Sequence, residues 1–265
     1  LVPGGTVSIL GTTSVRTDSP DTIHPGIQEV DTIIREGTAM IPALNSIRYI
    51  RAYCGVRPLI SSQKEKDDRN VTRGFALLDH SEEGLENFAT IIGGKLTTYR
   101  LMAEKTADLV CKRLGKKIPC STRITPLPET MSARWTEPGS APKMWIGRND
   151  PEDLLICECE MVPRSTVDTI MSSMHTCSGS NNLTAIGLRS RIGKGPCQGA
   201  FCSLRLTAFL YDRDKFTGNS GLSEIKAFLS ERWRGQRPLL WGTALVQSEL
   251  QEALHCGLLG LELDA

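Results

Sequence analysis

Apolar and polar positions divide the chain into a first part of mixed periodicity and a last third that is mainly helical. Residues 6–12 (Thr-Val-Ser-Ile-Leu-Gly-Thr) alternate and are rich in β-branched side chains, which predicts a strand. Ile27, Val30, Ile33 and Ile34 recur at helical spacing and predict a helix over 27–35. Residues 47–60 and 71–78 read as strands around a polar turn at 61–70, and 89–92 as a short buried strand running into Gly93-Gly94. Next comes a helix over 96–114, with Tyr99, Met102, Ala103, Ala107, Val110 and Leu114 as one apolar stripe and Gly115 as its stop. Periodicity fails from 116 to 150, where Pro119, Pro126, Pro128, Pro138, Gly139 and Pro142 mark a connecting region. Helices are predicted beyond it over 163–174, 183–192, 198–211, 222–233 and 245–254. The fold class expected from this order is α+β.

Composition narrows the functional classes. The 265 residues suit one large or two modest domains, and 40% apolar with 23% charged residues is ordinary for a soluble protein. A net charge of +1 without long runs of one sign gives no electrostatic reason for a nucleic-acid or membrane-surface binder. No apolar stretch approaches the roughly 18–20 residues that cross a bilayer. The opening Leu1-Val2-Pro3-Gly4-Gly5 is neither a signal nor a transit peptide and starts inside a strand pattern, so a fragment of a longer protein is expected.

Cysteine usage carries the first chemical signal. Of nine cysteines, Cys54, Cys111, Cys120, Cys177 and Cys256 stand singly and read as thiols of a reducing cytosol. The other four form two close pairs, Cys157-Glu-Cys159 and Cys197-Gln-Gly-Ala-Phe-Cys202, with helical sequence between. Two such pairs can converge on one metal site, and four thiolates suit a [2Fe–2S] cluster or structural zinc. The glycines of Gly193-Lys194-Gly195-Pro196-Cys197-Gln198-Gly199 let the backbone wrap a cluster and aim N–H groups at its sulfurs. This stretch resembles the bacterioferritin-associated ferredoxin-like [2Fe–2S] domain, although the second pair is Cys-x4-Cys where many members have Cys-x2-Cys.

A second signal is Ile91-Ile92-Gly93-Gly94-Lys95-Leu96-Thr97-Thr98-Tyr99-Arg100, a strand, a double-glycine turn and a helix start. Such a joint lets an anionic ligand approach backbone amides. It is not a Walker A loop, since Lys95 is followed by Leu96 and no glycine stands five positions before Gly94. The run is similar to a signature of FAD-dependent glycerol-3-phosphate dehydrogenases. Residues 9–13 (Ile-Leu-Gly-Thr-Thr), 55–59 (Gly-Val-Arg-Pro-Leu), 72–75 (Thr-Arg-Gly-Phe), 228–235 and 240–242 match further family segments in order. The arrangement looks like the A subunit of the anaerobic type, which carries a ferredoxin-like extension.

The resemblance implies roles. Arg57, Arg73 and Lys95 match positions that bind substrate and its phosphate. Gly94, Thr97 and Thr98, with Thr12 and Thr13, match positions against the flavin. Ser14 stands where aerobic relatives often have Asp. The dinucleotide fingerprint Gly-x-Gly-x-x-Gly is absent, as expected if the half gripping the ADP portion lies elsewhere.

The expected organisation is a partial FAD and substrate domain over 1–118, a linker over 119–150, a [2Fe–2S] domain over 151–215 and a helical tail over 216–265. By resemblance, the reaction is oxidation of sn-glycerol 3-phosphate to dihydroxyacetone phosphate. FAD and a cluster on Cys157, Cys159, Cys197 and Cys202 are its implied cofactors. Partner subunits, one of them a membrane-anchoring iron–sulfur protein, and a quinone follow from the same source. The implied place is the cytoplasmic face of the membrane, without nucleic acid or a membrane span. The alternatives are an amino-acid or amine dehydrogenase subunit of the same plan and a non-catalytic zinc or cluster docking module. The tail residues Trp233, Trp241, Leu245, Leu250 and Leu254 read as core or as a subunit contact.

Overall fold

Backbone contacts gather the chain into two units, Leu1–Thr13 with Thr22–Cys54 and Thr130–Ala265, and Ser14–Asp21 with Gly55–Glu129. The structure, a computed structural model, describes residues 1–21, 23–57, 74–126, 140–174 and 182–261. It is a mixed helix-and-sheet molecule, in agreement with the α+β expectation.

The first unit begins with a hairpin. The single strand expected over 6–12 is instead β1 (Val2–Gly4) and β2 (Val7–Ile9), antiparallel, with Gly5 at φ 80° in the turn. Helix α1 (Ile27–Met40) follows, longer than its apolar spacing indicated. Its N3 residue Glu29 reaches back to the Gly26 N–H at 3.3 Å, and Pro42 prevents continuation beyond Ile41. No strand forms over the described residues 47–57. A strand needs a neighbour, and here the Ala52 N–H donates to Gly235 O at 2.9 Å while the Tyr49 hydroxyl donates to Leu44 O.

The rest of this unit holds its core. Helix α3 (Ser140–Arg148) forms where periodicity had failed, with Pro142 in its first turn, where a missing N–H costs nothing. A short antiparallel pair, β5 (Leu155–Cys157) and β6 (Val162–Pro163), leads into α4 (Arg164–Met174). The buried Asp153 carboxylate accepts from Ser165 N at 2.9 Å and Ser165 Oγ at 2.7 Å, which fixes the start of α4. Asn182 caps α5 (Leu183–Ser190) by accepting from Ala185 N at 2.7 Å. Helices α6 (Cys202–Asp212), α7 (Ser220–Gln236) and α8 (Gly242–Glu252) complete it. Val167, Ile170, Leu183, Ile186, Leu206 and Leu210 are fully buried and, with Ile225 and Phe228, form one cluster around the two cysteine pairs. The tail residues Trp241, Leu245 and Leu250 remain exposed.

The second unit is a hairpin and a helix. Strands β3 (Phe75–Asp79) and β4 (Ala89–Gly93) pair antiparallel, and α2 (Tyr99–Arg113) follows a single 3-10 turn at Leu96–Thr98. Arg113 makes a two-pronged ion pair with Asp79 and donates to Glu86 O at 2.9 Å, tying α2 to the hairpin. No described residue of this unit is fully buried. The stripe expected to pack is open here, with Tyr99, Val110 and Leu114 exposed and Met102 half-buried. No helix among the described residues is long and apolar enough to cross a membrane.

Candidate metal centre

The four paired cysteines come together. Cys157 ends β5, and Cys159 follows in a turn closed by Met161 in the left-handed region at φ 48°. Cys197 lies in the loop after α5, and Cys202 is the first residue of α6. Their thiols form a hydrogen-bonded row, Cys157 to Cys202 to Cys197 to Cys159. Cys157 and Cys202 are buried, while Cys159 and Cys197 are half-buried.

Backbone amides converge on this row. The Glu160 and Gly193 N–H groups donate to the Cys157 sulfur, those of Gly199 and Phe201 to Cys197, and that of Cys197 to Cys159. The sequence produces this locally. Gln198 and Gly199 take successive positive φ values of 49° and 97°, which curls the loop so that its amides face inward as an anion-binding nest. That curl also delays α6, whose helix begins at Cys202 rather than at 198. Gly193, at φ 77°, and Gly199 both rest on the Phe228 ring, where an added Cβ would come within 2.5 Å of it. Further side chains clamp the loop. Gln198 Nε2 donates to Gly195 O at 2.9 Å, Arg48 to Pro196 O at 3.2 Å, and the buried His255 Nε2–H to Ala200 O at 3.1 Å.

The row divides its protons unevenly. Cys202 is pushed far up because its S–H serves both Cys157 and Cys197, and burial adds to this. Cys157 is lowered, first by the Cys202 thiol and then by its two amides, against the cost of burial. Cys197 is lowered to about 5 by the same thiol and by the Gly199 and Phe201 amides. Burial raises Cys159. Iodoacetamide at pH 6 is therefore expected to label Cys197 ahead of the more exposed Cys54, whose thiol burial and Glu29 raise. Peptide mapping by mass spectrometry checks this on metal-free protein, and labelling that followed exposure alone would contradict it.

The donor set fits a thiophilic metal group: four sulfurs, two of them with lowered thiol pKa, and amides aimed at them. Among the described residues, however, no group of three or more His, Cys, Asp or Glu side chains is arranged to hold a metal ion. The thiols meet pairwise along a row.

The residues assigned by resemblance to substrate and flavin fall in different parts. Arg57, Gly94, Lys95, Thr97 and Thr98 belong to the second unit, Thr12 and Thr13 to the first, and Arg73 lies outside the described residues. Arg57, Lys95 and Thr97 are exposed, whereas Gly94 and Thr98 are half-buried. Gly94, at φ 84°, donates its N–H to Gly74 O at 2.8 Å, and Thr98 Oγ1 accepts from Lys95 N at 2.9 Å, so the turn holds its own shape. Thr12 Oγ1 donates to Thr13 O at 3.0 Å, and Thr13 Oγ1 to Glu29 Oε1 at 2.6 Å.

Several residues around the thiols escaped the sequence reading. Glu160 directly follows Cys159, and an acidic residue beside a ligand pair was the available signal for it. Phe228 stood only at the head of the family segment 228–235, and Arg48 and His255 carried none, because only tertiary packing brings them to the loop.

The chain is similar to curated proteins named as the A subunit of anaerobic glycerol-3-phosphate dehydrogenase. The Escherichia coli K12 relative is 38% identical over 99% of this chain and 52% of its own length. That of Haemophilus influenzae is 37% identical over 98% and 49%. The A1 subunit of Haloferax volcanii is 32% identical over 100% and 47%. The chain thus spans about half the length of the curated relatives it matches, and the resemblance read from its motifs is borne out. No protein-family model and no solved structure matches.

Proposed function

We propose that this chain forms part of the A subunit of an anaerobic glycerol-3-phosphate dehydrogenase and holds a [2Fe–2S] cluster on Cys157, Cys159, Cys197 and Cys202. The convergence of these four thiols on backbone amides carries the reading. It comes in a chain whose relatives bear that subunit's name. The Cys-x-Cys and Cys-x4-Cys spacing suits a [2Fe–2S] cluster, with two thiolates for each iron, better than structural zinc, whose ligand pairs usually both have spacers of two to four residues. When bound, FAD would take up a hydride equivalent and the cluster would carry single electrons.

The chain's own residues do the rest. Arg57, Arg73 and Lys95 neutralise and orient the phosphate of sn-glycerol 3-phosphate, the forked guanidinium groups in pairs of hydrogen bonds and the ammonium as a point charge. Gly94, Thr97 and Thr98 match family positions that would lie against the flavin, and so, separately, do Thr12 and Thr13. Other subunits, among them a membrane-anchoring iron–sulfur protein, take the electrons toward quinone at the inner face of the membrane.

A chimera joining this chain to the half of the E. coli relative that it does not match tests the reading. Dye reduction is expected with sn-glycerol 3-phosphate and not with glycerol or amino acids. Arg57→Ala or Lys95→Ala should raise KM roughly 10–100-fold, the loss of about 1.5–3 kcal/mol for a charged hydrogen bond. Equal turnover of glycerol, or preference for an amino acid, would overturn the proposal.

A further inference from the structure

Beside the cysteine row lies a charge pair that neither the proposed chemistry nor the thiol geometry uses. Arg191 Nε donates to Glu160 Oε2 at 2.8 Å and its Nη2 to Oε1 at 3.1 Å. The carboxylate side chain is 5% exposed and the guanidinium 25%. Thr6 Oγ1 donates to the same carboxylate at 2.6 Å, and Arg191 also donates to Gly4 O, so hairpin β1–β2 covers the pair. Arg191 caps α5 in a left-handed conformation, φ 69°, which no glycine relieves. Residues other than Gly, Asn and Asp seldom hold that conformation without compensation.

The pair is placed against one end of the row. Glu160 directly follows Cys159 and gives its own N–H to Cys157, while Arg191 stands two residues before Gly193, the other amide donor to Cys157. The Arg191 charge thus acts on the Cys157 sulfur. The Glu160 carboxylate bound to that guanidinium sets a full negative charge beside the same end of the row, largely out of water. Resting on the cluster reading above, we propose that the Arg191–Glu160 pair sets the reduction potential of the cluster, Arg191 raising it and Glu160 lowering it. Reduction adds an electron and makes the cluster more negative. A nearby cation stabilises that state and a nearby anion opposes it, and low dielectric enlarges both effects. The guanidinium is held charged, first by its hydrogen bond to Glu160 and also by the field of the Cys157 sulfur.

The test is a spectroelectrochemical titration of the iron-loaded chain. Arg191→Met should lower the potential and Glu160→Gln should raise it. Each should change the reduction equilibrium on the order of tenfold, which is 59 mV for one electron. The double variant should return toward wild type, and Arg191→Lys should keep most of the wild-type value even if it melts earlier. Single variants that shift the potential in the same direction, or a double variant further from wild type than either, would reduce the pair to a structural clamp and overturn the inference. Wild-type protein that takes up no iron would overturn the cluster reading itself, and it would do so before any variant is made.

Discussion

Cys202→Ala is expected to abolish iron uptake by this chain, from about two irons to near zero per molecule. Cys202 is the pivot of the thiol row, with its sulfur hydrogen-bonded to those of both Cys157 and Cys197. It is 2% exposed at the head of α6, and alanine continues that helix readily, so the fold should persist while the fourth ligand is lost. Iron and sulfide analysis beside circular dichroism separates these effects. Cys256→Ala is the control, since that half-buried thiol lies outside the row and its loss should leave the metal content unchanged. Full iron content in Cys202→Ala, or its loss in Cys256→Ala, would contradict the ligand assignment.

Gly199→Ala should be nearly as damaging by a different route. Gly199 has φ 97°, and a Cβ there would stand 2.5 Å from Phe228 Cε1. The conformation costs an alanine about 1–2 kcal/mol, and forcing the Phe228 ring aside adds about 1–3 kcal/mol. The expected loss is roughly 2–5 kcal/mol, or about 2–4 °C in melting temperature for each kcal/mol. Because the Gly199 N–H serves Cys197, cluster retention should fall as well. Gly218→Ala isolates the strain, because φ is 51° there and nothing lies within 4 Å of the added carbon. Equal losses at 199 and 218 would remove the role given to Phe228.

Much of this was legible because the signals were local. Helices α4, α5 and α7 followed from the helical pattern of the last third, and the glycines around Cys197 announced a backbone that turns its amides inward. The errors arose where local pattern met a tertiary partner. Residues 47–57 carry a strand composition, yet Gly235 of α7 takes the Ala52 N–H. The stripe on α2 has helical spacing, but among the described residues none of its side chains is buried. Helix α3 hid among prolines because Pro142 sits where a first turn tolerates it. The site divides in the same way. The cysteine pairs were readable from spacing, whereas Arg191, His255 and Arg48 come to the site through tertiary packing and leave no mark in the local sequence.

What the four thiols hold decides whether this chain carries electrons. Iron, acid-labile sulfide and zinc should be determined on anaerobically purified chain, with an absorption spectrum before and after dithionite. About two irons and two sulfides per chain, with a visible band that bleaches on reduction, is the predicted result. About one zinc with neither iron nor sulfide would contradict it and leave a structural module in place of an electron carrier.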